Sequence, residues 1–352
     1  MKDRYDYLIV GQGLAGICMS HRLLKEGKKI LVVDSKRHTP ASTVAAGIIN
    51  PITGRRYVKS WMFDELLQEA DRFYIELQEQ LGDNFFNKIS ITRSLFNHME
   101  EQDWWLRRQD PAYIPYMFPP MEKEMFPVGF KPVFAFAKVD KGGRTDLGKL
   151  MRLYQAYLRD NSKLLNTIFS FEDLKNTGES EWSWKDKTFE RILFCEGASA
   201  VHNPYFNYLP FNPTKGEVLI IKADALKRDT IFKNRIFVAP IEEDLFWVGS
   251  QYAASFDDDL PTEDAKAFLT ERLEEIMDCP YEIIEHRAAV RPTVKDRKPF
   301  LGQHSTHKGL YIFNGLGTKG ASLGPYFSKM MAAHLESGEA LLPEVDIKRF
   351  DK

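Results

Sequence analysis

Tyr7-Leu8-Ile9-Val10-Gly11-Gln12-Gly13-Leu14-Ala15-Gly16, with Lys29-Ile30-Leu31-Val32-Val33-Asp34 downstream, carries the pattern from which the architecture of this chain can be derived. An apolar run, three glycines in the pattern G-x-G-x-x-G, a helix from about Ala15 to Lys25 and a second apolar run ending in an acid predict a βαβ unit over residues 3–34. Each part has a physical task. Gly11 permits the tight turn, Gly13 lets backbone approach a pyrophosphate, and Gly16 lets the helix lie close on the strand. The helix start presents free N–H groups and the positive end of its dipole to phosphates. Asp34, followed by Ser35, is placed to accept hydrogen bonds from an adenosine ribose. The chain is therefore expected to bind a dinucleotide.

Outward from that unit, 352 residues exceed one small core and suit two packed domains. An apolar content of 43% and a net charge of −2 describe an ordinary globular chain, with no electrostatic argument for nucleic acid. Cys18, Cys195 and Cys279 are scattered without metal-ligand spacing, which argues for a reducing compartment, and Cys18 and Cys195 read as buried filler. The first strand leaves no room for a leader, and no apolar run is long enough for a bilayer, so a cytoplasmic, membrane-free enzyme is expected.

Helical spacing predicts helices over Phe63 to Leu81 and Leu147 to Leu158, the second capped by Asp146, and another from about Thr262 to Met277. Residues 85–138 read as β-rich, aromatic and proline-rich, Trp182-Ser183-Trp184 as an exposed-edge or meander strand, and Pro325 to Leu335 as the last helix. The predicted class is α/β: a Rossmann-like dinucleotide domain built from residues 1–84, 139–205 and 286–352, with an interleaved β-rich (α+β) substrate domain from 85–138 and 206–285. Asp257-Asp258-Asp259 reads as a solvated loop rather than a metal cluster, so no metal is expected, and His304-Ser305-Thr306-His307 as a polar turn.

A second glycine loop, Asn314-Gly315-Leu316-Gly317-Thr318-Lys319-Gly320, also sits between a strand and a helix. It offers another row of amide donors, or simply caps the last helix. Two such loops at opposite ends of the chain suit one long ligand held at both ends. FAD meets that description better than NAD, whose second half is usually bound by another βαβ unit.

With these motifs in order, and with Thr43-Val44-Ala45-Ala46-Gly47, Thr214-Lys215-Gly216-Glu217, Trp247-Val248-Gly249-Ser250 and Val290-Arg291-Pro292-Thr293 between them, the chain resembles the D-amino-acid oxidase family of FAD-dependent oxidoreductases, which includes glycine and sarcosine oxidases. The resemblance implies noncovalent FAD held by Gly11, Gly13, Leu14, Ala15, Gly16, Asp34 and Ser35. Ala45, Ala46 and Gly47 would run along the flavin ring, Gly197 would mark the return of the chain, and Gly315, Gly317, Thr318, Lys319 and Gly320 would cover the pyrimidine edge. Lys319 would add positive charge there. The resemblance implies that Arg291 grips a substrate carboxylate and that Tyr252 lines the pocket, in an enzyme that removes hydride from a C–H beside an amine nitrogen and releases an imine to hydrolysis. For Arg291 a salt bridge to Glu285 or Asp296 is the structural alternative, and for Tyr252 ordinary core packing.

The family pattern is not followed everywhere. The final loop has Thr318 where an arginine is usual, and Lys319 one place later. With Ala46-Gly47-Ile48-Ile49-Asn50-Pro51, this leans toward the FAD domain of the enzyme that trims the carboxymethyl group from tRNA wobble uridine. A tRNA partner is not indicated by charge, since Arg55, Arg56, Lys59, Arg107 and Arg108 form no clear cluster with Lys319. A flavin-binding reductase or regulator without oxidase activity is the other alternative to an amine or amino-acid substrate.

Overall fold

The computed structural model describes residues 3–35 and 39–351. β1 (Asp3–Val10), α1 (Leu14–Lys25) and β2 (Ile30–Asp34) form the βαβ unit, with Val10 paired to Val33 in parallel register. Both strands carry a run of four buried apolar residues, Tyr7 to Val10 and Ile30 to Val33, as expected where helices cover both faces of a parallel sheet. The sheet continues from β2 to Leu164–Asn166 and from β1 to Lys187–Phe194. Leu310–Asn314 joins the far edge of Lys187–Phe194 in parallel, so segments from both ends of the chain complete one sheet.

The second sheet has eight strands in the order Glu282–Arg291, Thr214–Lys222, Leu245–Ala253, Phe237–Pro240, Thr230–Lys233, Ser90–Leu95, Ala135–Val139, Met117–Pro120. Its period-two pattern separates two faces. Leu219, Ile221 and Val248 pack under the helix Glu263–Ile276, through Leu269 and Leu273. Val218, Ile220, Trp247 and Ala289 face the dinucleotide unit and belong to the same core as α1. The two sheets therefore share one apolar seam, along which the site lies.

Two segments differ from the sequence expectation, and a third falls to one of its two alternatives. Trp182–Trp184 is the meander strand rather than an exposed edge, central in an antiparallel meander with both indoles buried. Trp184 stacks on Phe169, and the two indole N–H groups donate to the carbonyls of Lys308 and Ser170. Within the β-rich stretch lies a helix, His98–Arg108, capped by the Asn97 side chain, with acids in its first turn and Arg107 and Arg108 in its last. The final helix spans Gly320–Ser337, starting five residues before Pro325. Pro325 has no N–H to give Ala321, and the buried Tyr74 hydroxyl donates to the Ala321 carbonyl instead, at 2.8 Å. That substitute donor comes from a helix remote in sequence.

Candidate active site

Gly11 has φ +98°, and a Cβ on it would lie 2.5 Å from the Cys195 carbonyl oxygen. A Cβ on Gly16 would lie 2.0 Å from the Gly11 carbonyl oxygen, so α1 rests directly on the turn. Gly13 is the N-cap of α1, and the Leu14 amide behind it donates to Ser42 Oγ at 3.2 Å. Asp34 accepts from the Gln12 amide at 3.1 Å, and burial raises its carboxyl above the usual range. Asp34 and Ser35 open onto a cavity of about 600 Å³ that also touches Val44, Ala45, Arg144 and Trp247.

The loop carrying Ala45, Ala46 and Gly47 is held from both sides. Trp247 Nε1 donates to the Val44 carbonyl at 2.7 Å, across from the second sheet. Gly47 has φ +68°, and a Cβ there would fall 1.8 Å from the Thr145 carbonyl oxygen. At the other end, Asn314 Nδ2 donates to the Gly197 carbonyl at 3.0 Å. Gly317 packs against Thr293, and a Cβ on Gly320 would lie 3.1 Å from a Leu14 methyl. The loops at residues 11–16 and 315–320, three hundred residues apart in sequence, thus converge at the starts of two adjacent helices. Lys319 donates to Ser60 Oγ at 3.2 Å; crowding by protein, then Arg297 and Lys298, lowers its pKa.

The chain fits a dinucleotide on its own evidence. Gln12 has no exposed surface, and neither polar atom of its amide has a hydrogen-bond partner among the described residues. Such groups are costly unless something satisfies them. Here they sit in a glycine cradle, behind a helix N-terminus, beside an acid suited to a ribose. Gln12 is the residue that sequence reasoning passed over, although its place between two motif glycines was visible.

Arg291 ends its strand opposite Thr214, and Tyr252 stands opposite Gly216. By the strand alternation both project on the face turned toward the dinucleotide unit. Gly216 makes the space: a Cβ there would lie 2.0 Å from Arg291 Nη2. The salt-bridge alternative is not formed. Glu285 pairs with Arg287 and Asp296 with Arg349, and among the described residues no carboxylate pairs with Arg291. Burial lowers its pKa, opposed only by nearby Tyr252. Tyr252 itself is 55% exposed, so it is not core.

Other residues singled out in the sequence are placed elsewhere. His304 Nδ1 accepts from the amides of Thr306 and His307, the polar turn expected. Among the described residues no group of three or more His, Cys, Asp or Glu is arranged to hold a metal. Cys18 and Cys195 are buried. Lys59 pairs with Asp64, while Arg107 donates to the Arg56 carbonyl and Arg108 to that of Met117. Among the described residues no helix is long and apolar enough to cross a membrane.

The model of the family described as FAD dependent oxidoreductase matches residues 6–334. Glycine oxidase of Pseudomonas aeruginosa is 22% identical, covering 95% of this chain and 96% of its own. The crystal structure of glycine oxidase from Geobacillus kaustophilus superimposes with a TM-score of 0.78 at 20% identity, over 99% of this chain and 98% of that one. The structure of iminodiacetate oxidase from Chelativorans gives 0.78 at 20% identity, over 98% of each chain. At these identities the structural likeness shows the fold.

Proposed function

Because the chain belongs to the FAD-dependent oxidoreductase family, we propose that it oxidises the C–N bond of an amino acid or secondary amine that carries a carboxylate. The observation that carries this reading is Arg291: a largely buried guanidinium with no carboxylate partner among the described residues, seated over Gly216 on the cofactor-facing side of the sheet. An unpaired charge in such a place is costly unless a ligand completes it, and its planar fork matches a carboxylate bidentately. Fixing the carboxylate fixes the α-carbon, which is where orientation contributes most to rate. The relatives named glycine oxidase and iminodiacetate oxidase are consistent with this substrate class.

FAD, when bound, supplies the hydride acceptor. Gly11, Gly13, Leu14, Ala15, Gly16, Asp34 and Ser35 would hold its adenosine and phosphates, and Ala45, Ala46, Gly47, Gly197 and the loop Gly315 to Gly320 its flavin end. Lys319 would stabilise negative charge at that end. Tyr252 would close the carboxylate pocket beside Arg291. Water completes the reaction by hydrolysing the imine. The division into a cofactor domain (1–84, 139–205, 286–352) and a substrate domain (85–138, 206–285) is proposed with it; the two large sheets follow this division except at Glu282–Arg291, a strand of the second sheet that crosses the boundary at 286.

The test is anaerobic bleaching of the FAD-loaded protein with glycine, sarcosine, D-amino acids and N-alkyl amino acids, compared with amines of similar size lacking the carboxylate. Arg291→Leu should keep FAD and weaken carboxylate substrates by about 2–5 kcal/mol. Arg291→Lys should also lose activity. Bleaching by NADH alone, with none of these amines active, would replace this reading by a reductase.

A further inference from the structure

Glu196 lies two residues beyond the strand Lys187–Phe194 that runs beside β1, as N-cap of the turn Gly197–His202. A Cβ on Gly11 would lie 3.3 Å from the Glu196 Cα, so this acid is a direct neighbour of the first motif glycine. One carboxyl oxygen, Oε2, accepts from Asn203 Nδ2 at 2.6 Å, and Asn203 is itself fully buried. The other oxygen has no protein hydrogen-bond partner among the described residues, and the side chain keeps part of its surface open. Among the described residues no lysine, arginine or histidine forms an ion pair with it.

We propose that Glu196 contacts the bound dinucleotide, its carboxyl serving as an uncharged hydrogen-bond donor to the phosphate–ribose stretch of FAD. Nothing cationic acts on Glu196: the turn before α1 gives Gly11 and the neutral Gln12, the adjoining Cys195 gives a thiol, and the turn 197–202 leads to Asn203, with His202 exposed. Into that space must come a pyrophosphate with two negative charges. A carboxylate there would repel it, whereas a carboxylic acid adds a donor where donors are needed. Crowding by protein pushes the Glu196 carboxyl up to about 7, with the Asn203 hydrogen bond opposing. The acid is therefore poised to be neutral at moderate pH even before the cofactor arrives. The inference rests on the family's cofactor and is independent of which amine is oxidised.

Bound FAD favours the protonated form, so binding takes up a proton above neutral pH, and affinity falls as pH rises past the apoprotein pKa, up to about tenfold per pH unit. The experiment titrates apoprotein with FAD by flavin fluorescence between about pH 6 and about pH 8.5. Wild type should weaken about tenfold across that range. Glu196→Gln, which keeps a neutral donor, should bind like wild type at the low end and lose most of the pH dependence. Glu196→Ala should bind more weakly at the low end and lose the same part of the pH dependence. Asp34 remains in both variants, so any slope it contributes persists in them. A wild-type slope retained in Glu196→Gln, or a flat wild type, overturns the proposal. Should the variants fail to fold, calorimetry of the wild type in buffers of different ionisation enthalpy decides the matter. Proton uptake on FAD binding near pH 8 supports the proposal, and its absence overturns it.

Discussion

Gly216→Ala would test the site more sharply than removal of Arg291, because it moves the guanidinium without deleting it. A Cβ at Gly216 would stand 2.0 Å from Nη2, 2.1 Å from Cζ and 2.3 Å from Nη1 of Arg291, where ordinary contact begins at 3.4 Å. The guanidinium must therefore retreat by about 1.4 Å, the difference between 3.4 and 2.0 Å. It lies at the far end of a flexible side chain, so it moves easily and the fold should survive. Misplacement of a positioning group by about 1 Å costs on the order of a hundredfold, or about 2.7 kcal/mol of transition-state stabilisation. FAD affinity and thermal unfolding should change little. Stopped-flow reduction of the flavin should show kcat/KM falling about a hundredfold for carboxylate-bearing amines and much less for amines without the carboxylate. An equal loss for both classes would refute the reasoning, as would full activity with the carboxylate substrates.

Four further outcomes are expected. Trp247→Phe removes the donor to the buried Val44 carbonyl and should destabilise the protein by about 1–3 kcal/mol in chemical unfolding while loosening FAD binding. Gly47→Ala places a methyl 1.8 Å from backbone oxygen of Thr145, which cannot step aside, so FAD retention on gel filtration should be lost. Lys319→Met should make the flavin midpoint potential more negative in spectroelectrochemical titration, because positive charge near the ring favours its reduced form. His21 is buried and its pKa is lowered to about 4, so the unfolded chain binds the proton more readily. Stability should therefore fall as pH drops from about 6.5 toward 4, by up to about 3 kcal/mol, and urea unfolding of His21→Gln should lack that fall.

The βαβ unit, the acid at the end of β2 and the second glycine loop are legible from local sequence, because these depend on local rules. An apolar run, glycines at fixed offsets and a helix start are chemically legible wherever they stand. Two of the longest helices were legible for the same reason, through apolar spacing and capping residues. Pro325 misled, since its missing N–H is made good by Tyr74, which no local rule could supply. Trp182–Trp184 left edge and meander open because alternation announces a strand but not its neighbours, and its burial depends on Phe169 and the carbonyls of Lys308 and Ser170. Arg291 was nameable from its motif, but whether it paired with Glu285 or Asp296 was not. Tertiary structure gave those acids to Arg287 and Arg349 and set Arg291 over a glycine seventy-five positions earlier in the chain. Glu196 carries no signal in the sequence, and Gln12 only its place between two motif glycines. A polar side chain reveals a binding role only when burial strips it of water and packing denies it a partner, and both are decided by segments far away in the chain.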